Sequence, residues 1–231
     1  MKTQIQIKFS KFYEKWISQL ENLLSIILIV LRESREDSKA CESEYHKLLA
    51  HHKEYYTSKW ATATENALIF FCPVWLSPLE ISHMWFTGWR PSMAFQIVRS
   101  LNEEQLKKIE GLQAKIKEEE VRVGREMERH SRQMTSWKTL LLVRLDSEPQ
   151  VTDTAVLKQV HEMVESVKTG MASGMEKVAK MADCIRRKTL RGLLDVLTPI
   201  QRLEFLAAMS MFQIQLMKRG KSELERELEL D

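Results

Sequence analysis

An all-α fold follows from three features of the sequence. Apolar residues recur at steps of three and four over long segments, glycine is scarce at 7 of 231 residues, and no stretch alternates apolar and polar as a half-buried strand would. A composition of 44% hydrophobic and 29% charged residues fits a helix-rich chain. The expected architecture is a single elongated bundle of long antiparallel helices with a short Trp/Pro-rich helical elbow at its centre. One domain over residues 1–220, with its central motif at 70–101, would precede an acidic tail at 221–231.

The first helix is read over residues 9–33, on Phe9, Phe12, Trp16, Leu20, Leu24, Ile27 and Val30. Its second half is apolar nearly all round, which predicts a central position. The run Leu23-Leu24-Ser25-Ile26-Ile27-Leu28-Ile29-Val30-Leu31 is about half of what a bilayer span needs and meets a charged stretch directly. It also lies behind a long amphipathic segment, unlike a signal peptide. Ser38 is placed to cap a second helix running to Phe70, with Tyr45, Leu48, His52, Tyr56 and Ala63 on its stripe.

The elbow follows at 70–92 and holds three of the six tryptophans. Ser77-Pro78-Leu79-Glu80 spells a helix start: Ser77 caps, Pro78 takes the first helical position, and Glu80 closes a capping box. Gly88 offers a left-handed exit, and Pro91 restarts a helix. Trp75, Trp85 and Trp89 are expected to be buried where helices converge. Arg90 is expected in a cation–π contact with Trp85 or Trp89, or satisfying carbonyls around the elbow, with Glu80 also placed to pair with it.

Asn102-Glu103-Glu104-Gln105 opens the longest helix, read to about residue 144. Ile109, Ile116, Val123, Met127, His130, Met134, Trp137 and Leu141 form a seam at alternating four- and three-residue steps, interrupted by Gln113 and Glu120. Such a period packs left-handed against a partner helix. The surface between Lys107 and Arg132 is so charged that it is the candidate partner-binding face. A linker at 146–150 contains Pro149, and Asp153 starts another long helix to about residue 196. Thr198-Pro199-Ile200-Gln201 repeats the cap of Ser77 and opens the last helix, read to Gly220.

The formal charge of +3, from 35 basic and 32 acidic residues, is nearly balanced. It offers no clustered basic face for DNA or RNA. Cys41, Cys72 and Cys184 lack any C-x-x-C pair, which reads as free thiols without structural zinc. Two of them are expected in the core. Glu80-Ile81-Ser82-His83 is the chain's one E-x-x-H, too few for a bundle di-metal site. His46, His51 and His52 read as solvated or core-edge residues, not ligands. Gly170 and Gly174 read as close helix approaches. No clustered titratable groups announce an enzyme.

Four blocks in order resemble the plant Delay-of-Germination (DOG) domain family, whose domain also forms the C-terminal half of TGA-class bZIP transcription factors. The opening block is Phe12 to Trp16, and the second is Tyr55, Tyr56 and Lys59. The central block is Trp75, Ser77, Pro78, Glu80, Trp85, Gly88, Trp89, Arg90, Pro91 and Ser92. The last is Asp183, Arg186, Thr189, Leu190 and Gln201. The resemblance implies these motif residues are mainly structural. It also implies a non-enzymatic plant regulator acting through protein–protein interaction in seed dormancy, hormone signalling or development. Implied partners are bZIP factors or type-2C phosphatases, in the nucleus or in nucleus and cytoplasm; self-association stays open. A DNA-binding role is disfavoured because the opening motif at Phe12 leaves no room for a basic region and zipper. Haem, implied for dormancy-related members, is not carried over, since no histidine follows His161. A fatty acyl chain, implied by the TGA relatives, could enter among twelve methionines, which serve equally as core filler.

Overall fold

The computed structural model describes residues 2–35, 37–134, 136, 144 and 154–228. Among them the chain is an all-α bundle: α1 (Gln4–Glu33), α2 (Ser38–Asn66), α3 (Pro78–Ser82), α4 (Ala94–Ile97), α5 (Glu103–Met134), α6 (Thr154–Val196) and α7 (Pro199–Leu228). Two 3-10 turns, Ala67–Phe70 and Pro91–Met93, bracket the elbow. Trp137 and Leu141 of the seam, the linker with Pro149, and Asp153 lie outside the described residues.

The helices begin where local chemistry dictates. Ser77 and Glu80 form a full capping box with Pro78 at the first position. Asn102 exchanges hydrogen bonds with Gln105, and Thr198 does the same with Gln201. At α2 the cap sits one residue earlier than expected: Asp37 accepts from the Lys39 and Ala40 amides, and Ser38 is already helical. An aspartate there also favours the helix dipole. Helix α7 runs on through Gly220 to Leu228. A side chain at Gly220 would collide with Ser77, so this glycine marks a crossing of α7 and the elbow.

Helices α1, α2 and α7 enclose the larger core, which contains Phe9, Trp16, Leu20, Ile27, Leu48, Leu203 and Leu206. Helices α5 and α6 pair along the expected seam, burying Ile116 and Val123 against Val178, Ala182 and Ile185. Phe95 and Leu112 pack against both clusters and join them. Gly174 lies against the His130 ring, as read; Gly170 has open space around it and is no close approach.

In three respects the structure departs from the sequence expectations. The second half of α1 is not central: Ile26, Leu28 and Ile29 are 43–52% exposed, because α2 and α7 cover only one side of it. The elbow indoles Trp75, Trp85 and Trp89 are half-buried, while among the described residues the fully buried indole is Trp16 of α1. Of the three cysteines only Cys41 is in the core; Cys184 is half-buried and Cys72 exposed.

Candidate functional site

The elbow owes its shape to buried charges contributed by helices distant in sequence. Helix α3 stops at Ser82, and the chain turns sharply so that the Trp85 amide donates to the Gly88 carbonyl at 2.7 Å. The left-handed residue of this turn is Phe86, at φ 56°, and not Gly88. A phenylalanine there is strained, and its contact with Trp85, at 4.6 Å between ring centroids, together with packing on the α5–α6 cluster, holds it. Gly88 is needed for a different reason. A methyl group on it would lie 3.2 Å from the Arg186 guanidinium carbon.

Arg186 and Lys59 clamp the turn from two helices. Arg186 donates to the Trp89 carbonyl at 2.7 Å and to the Trp85 carbonyl at 2.6 Å, and its guanidinium lies 5.7 Å from the Trp85 ring. Lys59 spends all three protons, on the Thr87 carbonyl and hydroxyl, each at 3.1 Å, and on Asp183 at 2.7 Å. Asp183 accepts from both cations with its two oxygens. All three charges are buried, and burial lowers the Lys59 pKa to about 8 even though Asp183 opposes that shift. The rings of Tyr56, Trp60 and Phe70 surround the ammonium at 5.6–5.8 Å.

The cation–π role assigned to Arg90 therefore belongs to Arg186, as does the capture of elbow carbonyls. Arg90 is exposed and donates to Glu120 of α5 at 3.0 Å. Glu120 also accepts from the Ser92 amide at 2.6 Å, pinning the turn that begins at Pro91. The polar interruption of the α5 seam at Glu120 is thus a buried bond to the elbow. Glu80 does not reach Arg90. Its carboxylate serves Ser77 and accepts from the Tyr13 hydroxyl at 3.3 Å, and burial raises the Tyr13 pKa.

The remaining motif residues converge on the same region. Trp16 donates to the His51 carbonyl at 2.9 Å, His51 returns a bond to the Trp16 carbonyl at 2.9 Å, and the rings stack. Phe12 packs on Phe9, and Trp89 donates to the Tyr56 hydroxyl at 3.1 Å. Thr189 bonds back to the Ile185 carbonyl inside α6. Gln201 joins Gln105 and the Ser100 carbonyl. His52 meets Ser210 at 3.0 Å, and burial lowers its pKa to about 4. His46 stays at the surface beside Glu42. Tyr13, Thr87, His51 and Glu120 were not singled out as functional by sequence; only the polar break at Glu120 hinted at its role.

Between α1, α2, the elbow and α7 the structure leaves a cleft of about 180 Å³. Trp16, Tyr55, Tyr56, Phe70, Trp75 and Trp89 supply aromatic walls. No group of three or more metal-ligating side chains occurs among the described residues. None of the helices among the described residues is long and apolar enough to cross a membrane. For haem the fit is poor: the cleft is well below the ~300–1,000 Å³ of ordinary cofactor pockets. Its histidines are already engaged, His52 with Ser210 and His83 with the Leu79 carbonyl.

Residues 27–100 match the family described as DOG1, seed dormancy control. The chain is 42% identical over 227 residues to Protein DOG1-like 4 of Arabidopsis thaliana, covering 95% of each. It is 25% identical to the Arabidopsis protein RESPONSE TO ABA AND SALT 1, covering 82% of each. Transcription factor TGAL7 of Oryza sativa subsp. japonica is 27% identical, across 87% of this chain and 41% of that protein.

Proposed function

We infer that this chain, which belongs to the DOG1 family of plant regulatory proteins, works as a protein-docking platform and performs no chemistry of its own. The relatives' names connect the family to seed dormancy and to ABA response. The clamp of Lys59, Asp183 and Arg186 supports the reading. Lys59 and Arg186 are committed to the elbow and Asp183 to the two cations, so the clamp stiffens a body and leaves none of its groups free as acid, base or nucleophile.

The observation that carries docking is the uncovered side of α1. Ile26 and Ile29, three residues apart, form an apolar ridge, with Leu28 exposed beside it. Large apolar side chains grouped on a surface mark interaction sites more often than accidents, and spacing of this kind fits helix-to-helix docking. The solvent side of α5 between Lys107 and Arg132 adds a charged face able to steer a partner. Partners of the bZIP class fit the kinship with the TGA-type factor, with type-2C phosphatases as the other class, and nuclear action accords with both.

The test is calorimetric titration of the full chain with a bZIP factor and with a type-2C phosphatase, repeated on Ile26→Glu/Ile29→Glu. The expected result is binding by wild type, at least tenfold weaker in the double variant, with an unchanged melting temperature. Equal affinities would refute the α1 surface. Tight binding to duplex DNA with a steep salt slope would refute the docking reading itself.

A further inference from the structure

The aromatic cleft is more than a packing defect, because its walls are chemically selective. Most of its surface is carbon, so water filling it gains few bonds; apolar cavities of comparable size take up small aromatic guests. Its charged groups are already committed. Lys59 is spent on Asp183 and Thr87, and Glu80 on Ser77 and Tyr13. His52 donates to Ser210, whose own proton goes to the Leu206 carbonyl. A charged guest would find no counter-charge and would have to shed its water.

Two phenols break this pattern. Tyr55 lines the cleft and has no hydrogen-bond partner among the described residues, while Tyr56 accepts from Trp89. Their rings stand nearly perpendicular, 5.4 Å apart, at the same wall. Burial holds both hydroxyls in the protonated form well past neutrality, Tyr56 to a pKa of about 12. Each is a donor in want of an acceptor, in a space of about 180 Å³.

The geometry points to a binding site for a small neutral molecule of about one aromatic ring with one hydrogen-bond acceptor, its ring among Trp16, Trp75 and Trp89 and its acceptor on the Tyr55 hydroxyl. Edge-to-face and offset contacts with such walls favour a flat ring over a flexible chain. At this volume the cleft is too small to enclose a long acyl chain. The inference stands on the cleft alone and does not depend on the docking surface of α1.

The experiment uses the full chain, with acetophenone as a ring bearing an acceptor and isopropylbenzene as its near-isostere without one. Binding is followed by tryptophan fluorescence, since three indoles line the cleft, and by calorimetry. The expected result is saturable one-to-one binding of both, tighter for acetophenone. Tyr55→Phe should weaken acetophenone roughly fivefold, the scale of one hydrogen bond, and leave isopropylbenzene unchanged. Met209→Trp, which fills the cleft, should abolish both. Three results would overturn the assignment: neither probe saturates, Tyr55→Phe affects both alike, or palmitate binds where the ring probes do not. Should Met209→Trp fail to fold, the Tyr55→Phe comparison decides alone.

Discussion

At the level of single residues, the decisive one is Asp183. It holds two buried cations that each grip the elbow, so Asp183→Asn leaves both without a counter-charge. Breaking one side of a buried pair costs ~3–5 kcal/mol, and urea unfolding of the variant should show a loss of that order. A loss below 1 kcal/mol, the scale of an exposed pair, would mean the cations find other partners. His52 supplies a pH test. Burial lowers its pKa from 6.5 to about 4, so the folded form prefers it neutral. Its contribution is complete above pH 6.5 and is lost as pH falls through about 4, because the unfolded chain takes up the proton first. The expected loss is about 3 kcal/mol, at about 1.4 kcal/mol per tenfold. Thermal melts of His52→Gln should be flatter than wild type between those pH values; parallel curves would contradict the assignment.

At the level of elements, caps and seams were legible in the sequence while the clamp was not. The boxes at Ser77, Asn102 and Thr198 are encoded within four consecutive residues, so reading them needs no fold. The seam of α5 is periodic and equally local. Lys59 and Asp183 are 124 residues apart, and nothing in either neighbourhood announces the other. Family resemblance marked both as motif residues, yet gave no partner for either. The elbow misled for a related reason. Sequence alone makes Gly88 the left-handed exit of α3, but its missing side chain makes room for Arg186, and Phe86 takes the strained backbone instead. Likewise, an apolar circumference on α1 cannot show which side lacks a neighbour. The glycines of α6 offer a paired test. Gly174→Leu should push α5 away and cost ~1–3 kcal/mol. Gly170→Ala, with open space around it, should gain up to ~1 kcal/mol from helix propensity. Chemical denaturation of both variants checks this, and equal effects would contradict the helix contact at His130.

At the level of the whole molecule, two hydrophobic clusters could in principle melt apart. Phe95 and Leu112 bridge them, and the clamp crosses the same junction: Lys59 comes from α2, Arg186 and Asp183 from α6, and both hold the elbow between. Glu120 adds a tie from α5 to the elbow. A body joined this way presents the ridge of α1 and the charged side of α5 in a fixed relation, which is what a docking platform requires. The most direct measurement of this unity is differential scanning calorimetry of the intact chain. The account predicts one transition in wild type, with calorimetric and van't Hoff enthalpies equal, displaced to lower temperature as a whole by Asp183→Asn. Two resolved transitions, with only one of them moved by Asp183→Asn, would contradict it.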